Sequence, residues 1–137
     1  MNINIDFVNK LRTSGLRPTK QRLKICEVLF NTEKTFHFTV NDLSKIISEK
    51  LNQKISLATI YNTVHAFKKK GYLKEISMNS DKTYFDTNTT HHHHFFDSST
   101  MKLIDLSDDQ VEKIKINKAL PGKKISSVEI LVKVENE

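Results

Sequence analysis

Scarcity narrows this chain before anything else does. A single cysteine, Cys26, excludes an intramolecular disulfide framework and any cysteine-built zinc cluster within one chain. Three glycines and two prolines in 137 residues argue against a loop-rich sandwich or a low-complexity tail. No apolar run approaches the roughly 20 residues a membrane helix needs, so no membrane partner is expected. The opening stretch MNINIDFVNKL has no basic segment followed by an apolar one. A signal peptide is therefore not expected, and the cytoplasm is the simplest compartment. There is also no H-E-x-x-H pair, no phosphate loop and no serine in a G-x-S-x-G context, hence no nucleophile pattern.

Positive charge is present and unevenly placed. The net charge is +6, yet residues 1–70 hold 13 Lys+Arg against 5 Asp+Glu, whereas residues 71–137 hold 9 against 11. A basic half that meets phosphates and a second half that meets something else would give this division. Plain solubility is the other reading of a basic balance, and charge alone does not choose between them. A hydrophobic content of 37% supports a modest core, which association into an oligomer would help.

Apolar periodicity predicts four helices and then extended segments. Residues 6–13 place Phe7, Val8 and Leu11 on one side. Thr19 is an N-cap for a second helix with Ile25, Cys26, Val28 and Leu29 as its apolar set, so Cys26 is expected in the core. Thr39, with Asp42 three residues on, opens a third helix striped by Leu43, Ile46 and Ile47. Ser56 caps a fourth that runs to about Lys70 and stops at Gly71. Residues 72–77 and 83–86 then read as two strands around a polar turn at 78–81. Helices followed by a β-hairpin make a winged helix, expected over residues 1–86. Residues 87–137 read as a second unit, with strands at 90–96, 101–106 and 127–134 and a helix opened by Ser107 with Gln110 three residues on. Such a β-β-α-β unit has an open edge and little core, two deficits that a homodimer would remove. The expected fold class is α+β: an N-terminal winged helix-turn-helix domain followed by a small α/β dimerisation domain.

In the fourth helix Leu57, Ile60, Val64 and Phe67 form one stripe that should face the core. Ala58, Thr59, Asn62, His65 and Ala66 then turn outward, with Tyr61 on the flank. Small and amide side chains let a helix enter the major groove of double-stranded DNA and reach base edges. Ser56, Thr59, Tyr61 and Asn62 are the candidate base readers. Lys69 and Lys70 at the helix end, and Arg17, Lys20 and Arg22 at the start of the second helix, suit phosphates. A solvated helix face would carry similar residues; the wing and the charge asymmetry turn the reading towards DNA.

Five of the six histidines, His37 and the run at 91–94, are potential ligands. On a strand His92 and His94 share one face, while His91 and His93 share the other. An H-x-H pair chelates a borderline metal well, and Asp86 and Asp105 lie near enough in sequence to add oxygen. A solvated histidine run is the plainer alternative. A small metallohydrolase would use the histidines but leave the basic half without a role.

GLRPTKQRLKICEVL (15–29), ISLATIYNTVHAF (55–67), KTYFDTNTTHHHHFF (82–96) and, more weakly, KLIDLSDDQVE (102–112) resemble the ferric uptake regulator family, and more closely its iron response regulator branch. The resemblance implies a transcriptional regulator rather than an enzyme, acting as a homodimer on an inverted-repeat operator. It places a regulatory metal site at His37, Asp86, His92, His94 and Asp105. A second site, for metal or haem, would fall on His91, His93 and Glu112, with the family's usual last histidine near Val128. The paired Cys-x-x-Cys motifs of many members are missing. Asn62 after Tyr61 matches the iron response branch, whose members are thought to sense haem. The implied effector is thus Fe, Mn or Zn, or haem held by imidazoles of the run; a zinc- or manganese-responsive repressor is the alternative within the family.

Overall fold

The N-caps predicted for the second, third and fourth helices are in place in the computed structural model, which describes residues 5–76, 78, 81–118 and 120–137. The Thr19 hydroxyl accepts the Arg22 N–H at 3.2 Å and the Ser56 hydroxyl accepts the Thr59 N–H at 3.2 Å. Thr39 and Asp42 exchange side-chain and backbone bonds at 3.0 and 3.1 Å, a complete capping box. Helices α1 (Ile5–Thr13), α2 (Lys20–Phe30), α3 (Val40–Leu51) and α4 (Leu57–Lys69) result. Asn52 closes α3 in the left-handed region, and Gly71, at φ 81°, follows α4.

Two units divide the chain, Met1–Thr89 and Thr90–Glu137. The first is built on one core that includes Leu11, Ile25, Leu29, Phe38, Ile47, Ile60, Val64 and Phe67. Cys26 lies in that core as expected, and burial pushes its thiol up to about 12. The stripe on α4 needs one correction. Leu57 is 51% exposed, whereas Thr63 is buried beside Ile60, Val64 and Phe67. Ile55, just before the cap, is buried with Ile60 in the position of a hydrophobic staple, so it fills the place expected for Leu57.

The hairpin of the first unit has a third strand. β1 (His37–Phe38), two residues long, pairs with β3 (Tyr84–Asp86), which also pairs with β2 (Lys74–Ile76); all pairings are antiparallel, in the order β1-β3-β2. The register sets His37 opposite Asp86 and Phe38 opposite Phe85. Of the predicted strand end and turn, Ser77, Asn79 and Ser80 lie outside the described residues.

In the second unit β4 (His93–Asp97) is central, antiparallel to β5 (Lys102–Leu106) and parallel to β6 (Leu131–Val134). The helix expected from Ser107 is a single 3₁₀ turn, Asp108–Gln110, where the Ser107 N–H donates to the Gln110 side chain at 2.9 Å. The described residues from 111 to 130 form neither helix nor strand. Ile114, Ile116, Leu120 and Ile125 are 45, 51, 74 and 56% exposed. A short helix is marginal in water unless an apolar face is buried, and these side chains stay largely exposed among the described residues. The unit is therefore β-rich. Among the described residues no helix is long and apolar enough to cross a membrane.

Candidate DNA interface and metal centre

The outer side of α4 divides by what its side chains already do. Ser56 and Thr59 are tied into the cap, with the Ser56 hydroxyl donating to Thr59 Oγ1 at 2.8 Å. Tyr61 is 53% exposed and Asn62 is exposed beside it. Lys68 pairs with Glu75 of β2 at 3.1 Å, which fastens the helix end to the hairpin, while Lys69 and Lys70 stay exposed. Arg17 and Lys20 are exposed, and the Arg22 guanidinium donates to the Arg17 carbonyl at 3.1 Å, bracing the entry to α2.

Two of the expected ligands meet in the first unit. His37 Nε2 lies 3.3 Å from Asp86 Oδ2, and that carboxylate is only 1% exposed. Its other oxygen accepts the Asn88 N–H at 2.9 Å. A buried carboxylate requires such partners or a cation.

Three more meet in the second unit. Asp105 Oδ1 is 3.4 Å from His92 Nε2 and 3.5 Å from His94 Nε2, and the two rings are 4.5 Å apart. Strand register is the cause, because His94 sits opposite Asp105 across β4 and β5. His92 Nδ1 is 2.7 Å from the Thr90 carbonyl, which can only accept, so this nitrogen carries the proton. The lone pair of the neutral ring is then at Nε2, the nitrogen that faces Asp105. A backbone acceptor orienting the ring in this way is characteristic of metal-binding histidine. Imidazole nitrogen and carboxylate oxygen without sulfur fit a divalent ion such as iron, manganese or zinc.

On the other face His91 and His93 converge on Asp108, which sequence reasoning passed over in favour of Glu112. Asp108 Oδ1 is 3.1 Å from His93 Nε2 and 3.7 Å from His91 Nδ1. One donor atom from each of the three lies within 4.8 Å of the others. Glu112 lines the same cavity of about 370 Å³, together with Val128. Proton placement differs here. The Ile130 N–H donates to His93 Nδ1 at 3.1 Å, so the ring proton sits on Nε2 and is donated to Asp108. Both nitrogens of His93 are engaged.

The model of the Ferric uptake regulator family matches residues 13–133. The chain belongs to that family. A peroxide-responsive repressor of Staphylococcus epidermidis is 32% identical over 109 residues, 80% of this chain and 71% of that protein. A Staphylococcus aureus repressor of the same name is 32% identical over 80% of this chain and 72% of its own length. Among solved structures, the Vibrio cholerae ferric uptake regulator has a TM-score of 0.73 at 23% identity, covering 96% of this chain and 100% of that one. The Pseudomonas aeruginosa ferric uptake regulator solved with manganese has a TM-score of 0.68 at 20% identity, covering 94% and 96%. These likenesses show the fold, α+β with a helical N-terminal part followed by a β-rich part. As a ferric uptake regulator family member the chain is a DNA-binding transcriptional regulator of a metal-responsive kind and not an enzyme, which sets the metallohydrolase aside. Proteins of the family bind operator DNA as dimers.

Proposed function

We propose that this regulator is a cytoplasmic repressor that binds an inverted-repeat operator as a homodimer, under control of a divalent ion held by His37, Asp86, His92, His94 and Asp105. The observation that carries the reading is the pairing of imidazoles with carboxylates in each unit separately: His37 with Asp86, and His92 and His94 with Asp105. Residues 1–86 would read DNA and residues 87–137 would dimerise and sense. Bound there, the ion would supply positive charge and a fixed coordination geometry. His37 and Asp86 would then be constrained relative to His92, His94 and Asp105, and the separation of the two recognition helices in the dimer with them. Metal and operator would favour the same arrangement or opposite ones, which is how occupancy becomes a DNA affinity. Tyr61 and Asn62, with Ser56 and Thr59, would read bases, while Arg17, Lys20, Arg22, Lys69 and Lys70 would meet phosphates.

Iron or manganese is the proposed effector. A peroxide response like that in the relatives' names needs a redox-active ion, which zinc is not. The finer likeness to the iron response branch rests on Asn62 after Tyr61, and haem gains no support from imidazoles already turned towards carboxylates. A further ion at His91, His93 and Asp108, with Glu112 beside them, would cost the Ile130 hydrogen bond and should bind more weakly than the first.

Metal binding and operator affinity, measured side by side for three proteins, test the reading. His92→Ala with His94→Ala should lose the tight site. His37→Ala should bind more weakly and lose most of the operator response. An equal metal response in wild type and both variants would remove this site from the mechanism.

A further inference from the structure

Tyr61 and His65 stand one turn apart on α4, with ring centroids 4.2 Å apart and planes tilted by 43°. His65 meets Phe85 of β3 edge-on at 5.8 Å, and Phe85 stacks on Phe38 of β1 at 5.8 Å and 29°. Phe38 directly follows His37 and Phe85 directly precedes Asp86, and the two pairs are in register across the strands. Exposure falls along the row, from Tyr61 at 53% through half-buried His65 to Phe85 at 1% and Phe38 at 0%. All these residues lie within the first unit. One continuous row of rings therefore runs from the outer side of the recognition helix to the strand pair that carries His37 and Asp86.

We propose that His65 is a positioning residue, which holds the Tyr61 ring in its base-reading pose and ties that pose to the β1–β3 strand pair. The proposal rests on the reading of α4 as the DNA-facing helix. An exposed tyrosine with nothing beside it samples several rotamers, and freezing one of them on binding weakens affinity. A neighbour that already holds the ring removes that loss. The imidazole is a thin ring with a polar edge, suited to lie between a sealed phenylalanine and a solvated tyrosine. Because it touches Phe85, a displacement of β3 beside Asp86 is passed to Tyr61 without crossing to another unit.

A pair at i and i+4 also stabilises a helix without positioning anything, so the test must separate the two roles. Operator affinity and discrimination against a base-substituted operator are measured for wild type, Tyr61→Ala, His65→Ala, the double variant and His65→Phe. Tyr61→Ala should cost on the order of tenfold, the size of a base contact. His65→Ala should cost roughly threefold, the size of an aromatic pair, and reduce discrimination. The double variant should bind no more weakly than Tyr61→Ala, and His65→Phe, which keeps the ring, should restore wild-type behaviour. A helix-stabilising role would change Tm and leave discrimination alone. Additive losses, or full affinity in His65→Ala beside a weakened Tyr61→Ala, would overturn the proposal and leave the DNA reading of α4 standing. Unchanged affinity in Tyr61→Ala would overturn both. In the second arm, zinc is added to metal-free protein and the Tyr61 ring resonances are followed by NMR. They should shift in wild type and His65→Phe and hold still in His65→Ala; an equal shift in His65→Ala, or none in wild type, overturns the tie to the strands.

Discussion

Cys26 is buried in the core of the first unit, and its thiol keeps its proton far longer than usual. Burial pushes it from its ordinary 9.0 up to about 12, against a smaller opposing effect of Lys10. Between those values the folded chain binds a proton that the unfolded chain has released. The stability this thiol contributes is thus fully present below pH 9.0 and is lost as pH rises towards about 12. Cys26→Ala should therefore show a flatter alkaline limb than wild type, by up to about 1.4 kcal/mol per pH unit, in urea denaturation across that window. On the DNA side, Asn62→Ala should relax sequence preference by ~1–3 kcal/mol, whereas Lys69→Ala with Lys70→Ala should weaken all sequences alike and flatten the salt dependence. Competition binding with operator and scrambled duplexes at two salt concentrations distinguishes the outcomes. The place of Cys26 in the α2 stripe, and the alternation of the four consecutive histidines, were readable from the sequence. Asp108 was not, because which carboxylate ends beside His93 depends on the path of the chain after β5.

Helix beginnings were the most legible elements, since a cap is written in adjacent residues. Thr39→Ala removes one half of the capping box of α3 and should cost ~1 kcal/mol, read as a lower urea midpoint with an unchanged slope. β1 escaped notice because two residues carry no period. Its partner register with β3, which brings His37 to Asp86, is a long-range fact that spacing alone does not contain. The segment after Ser107 failed for the opposite reason. Its N-cap was right, and the Ser107–Gln110 bonds are made, but a helix also needs something to cover its apolar side.

The α+β order was legible as a change of period from helical to alternating, and the basic half of the sequence falls in the unit that holds α4. The apolar side chains left uncovered in the second unit, Ile114 and Ile116 among them, are where partner subunits should meet. Ile114→Asp with Ile116→Asp should shift sedimentation at micromolar concentration from dimer to monomer while the thermal transition of the first unit stays in place. A wild-type chain that sediments as a monomer, with or without metal, would contradict the proposed assembly.

β6 pairs on the side of β4 away from β5, and the end of β5 and the start of β6 flank the same end of β4, so the chain leaving β5 must cross that end before it can pair. The β4–β5 hairpin has no such journey to make; its contacts are local and form fast, whereas β6 has first to close the long loop through residues 107–130. His94 and Asp105 meet across the hairpin, with His92 just before it, so these three of the five ligands can assemble while β6 is still unpaired. His93 has the later task, since its Nδ1 accepts the Ile130 N–H and latches the returning strand. By this order of closure the even-numbered histidines would be ready for an ion early in folding, and the odd-numbered neighbour would close the sheet behind them.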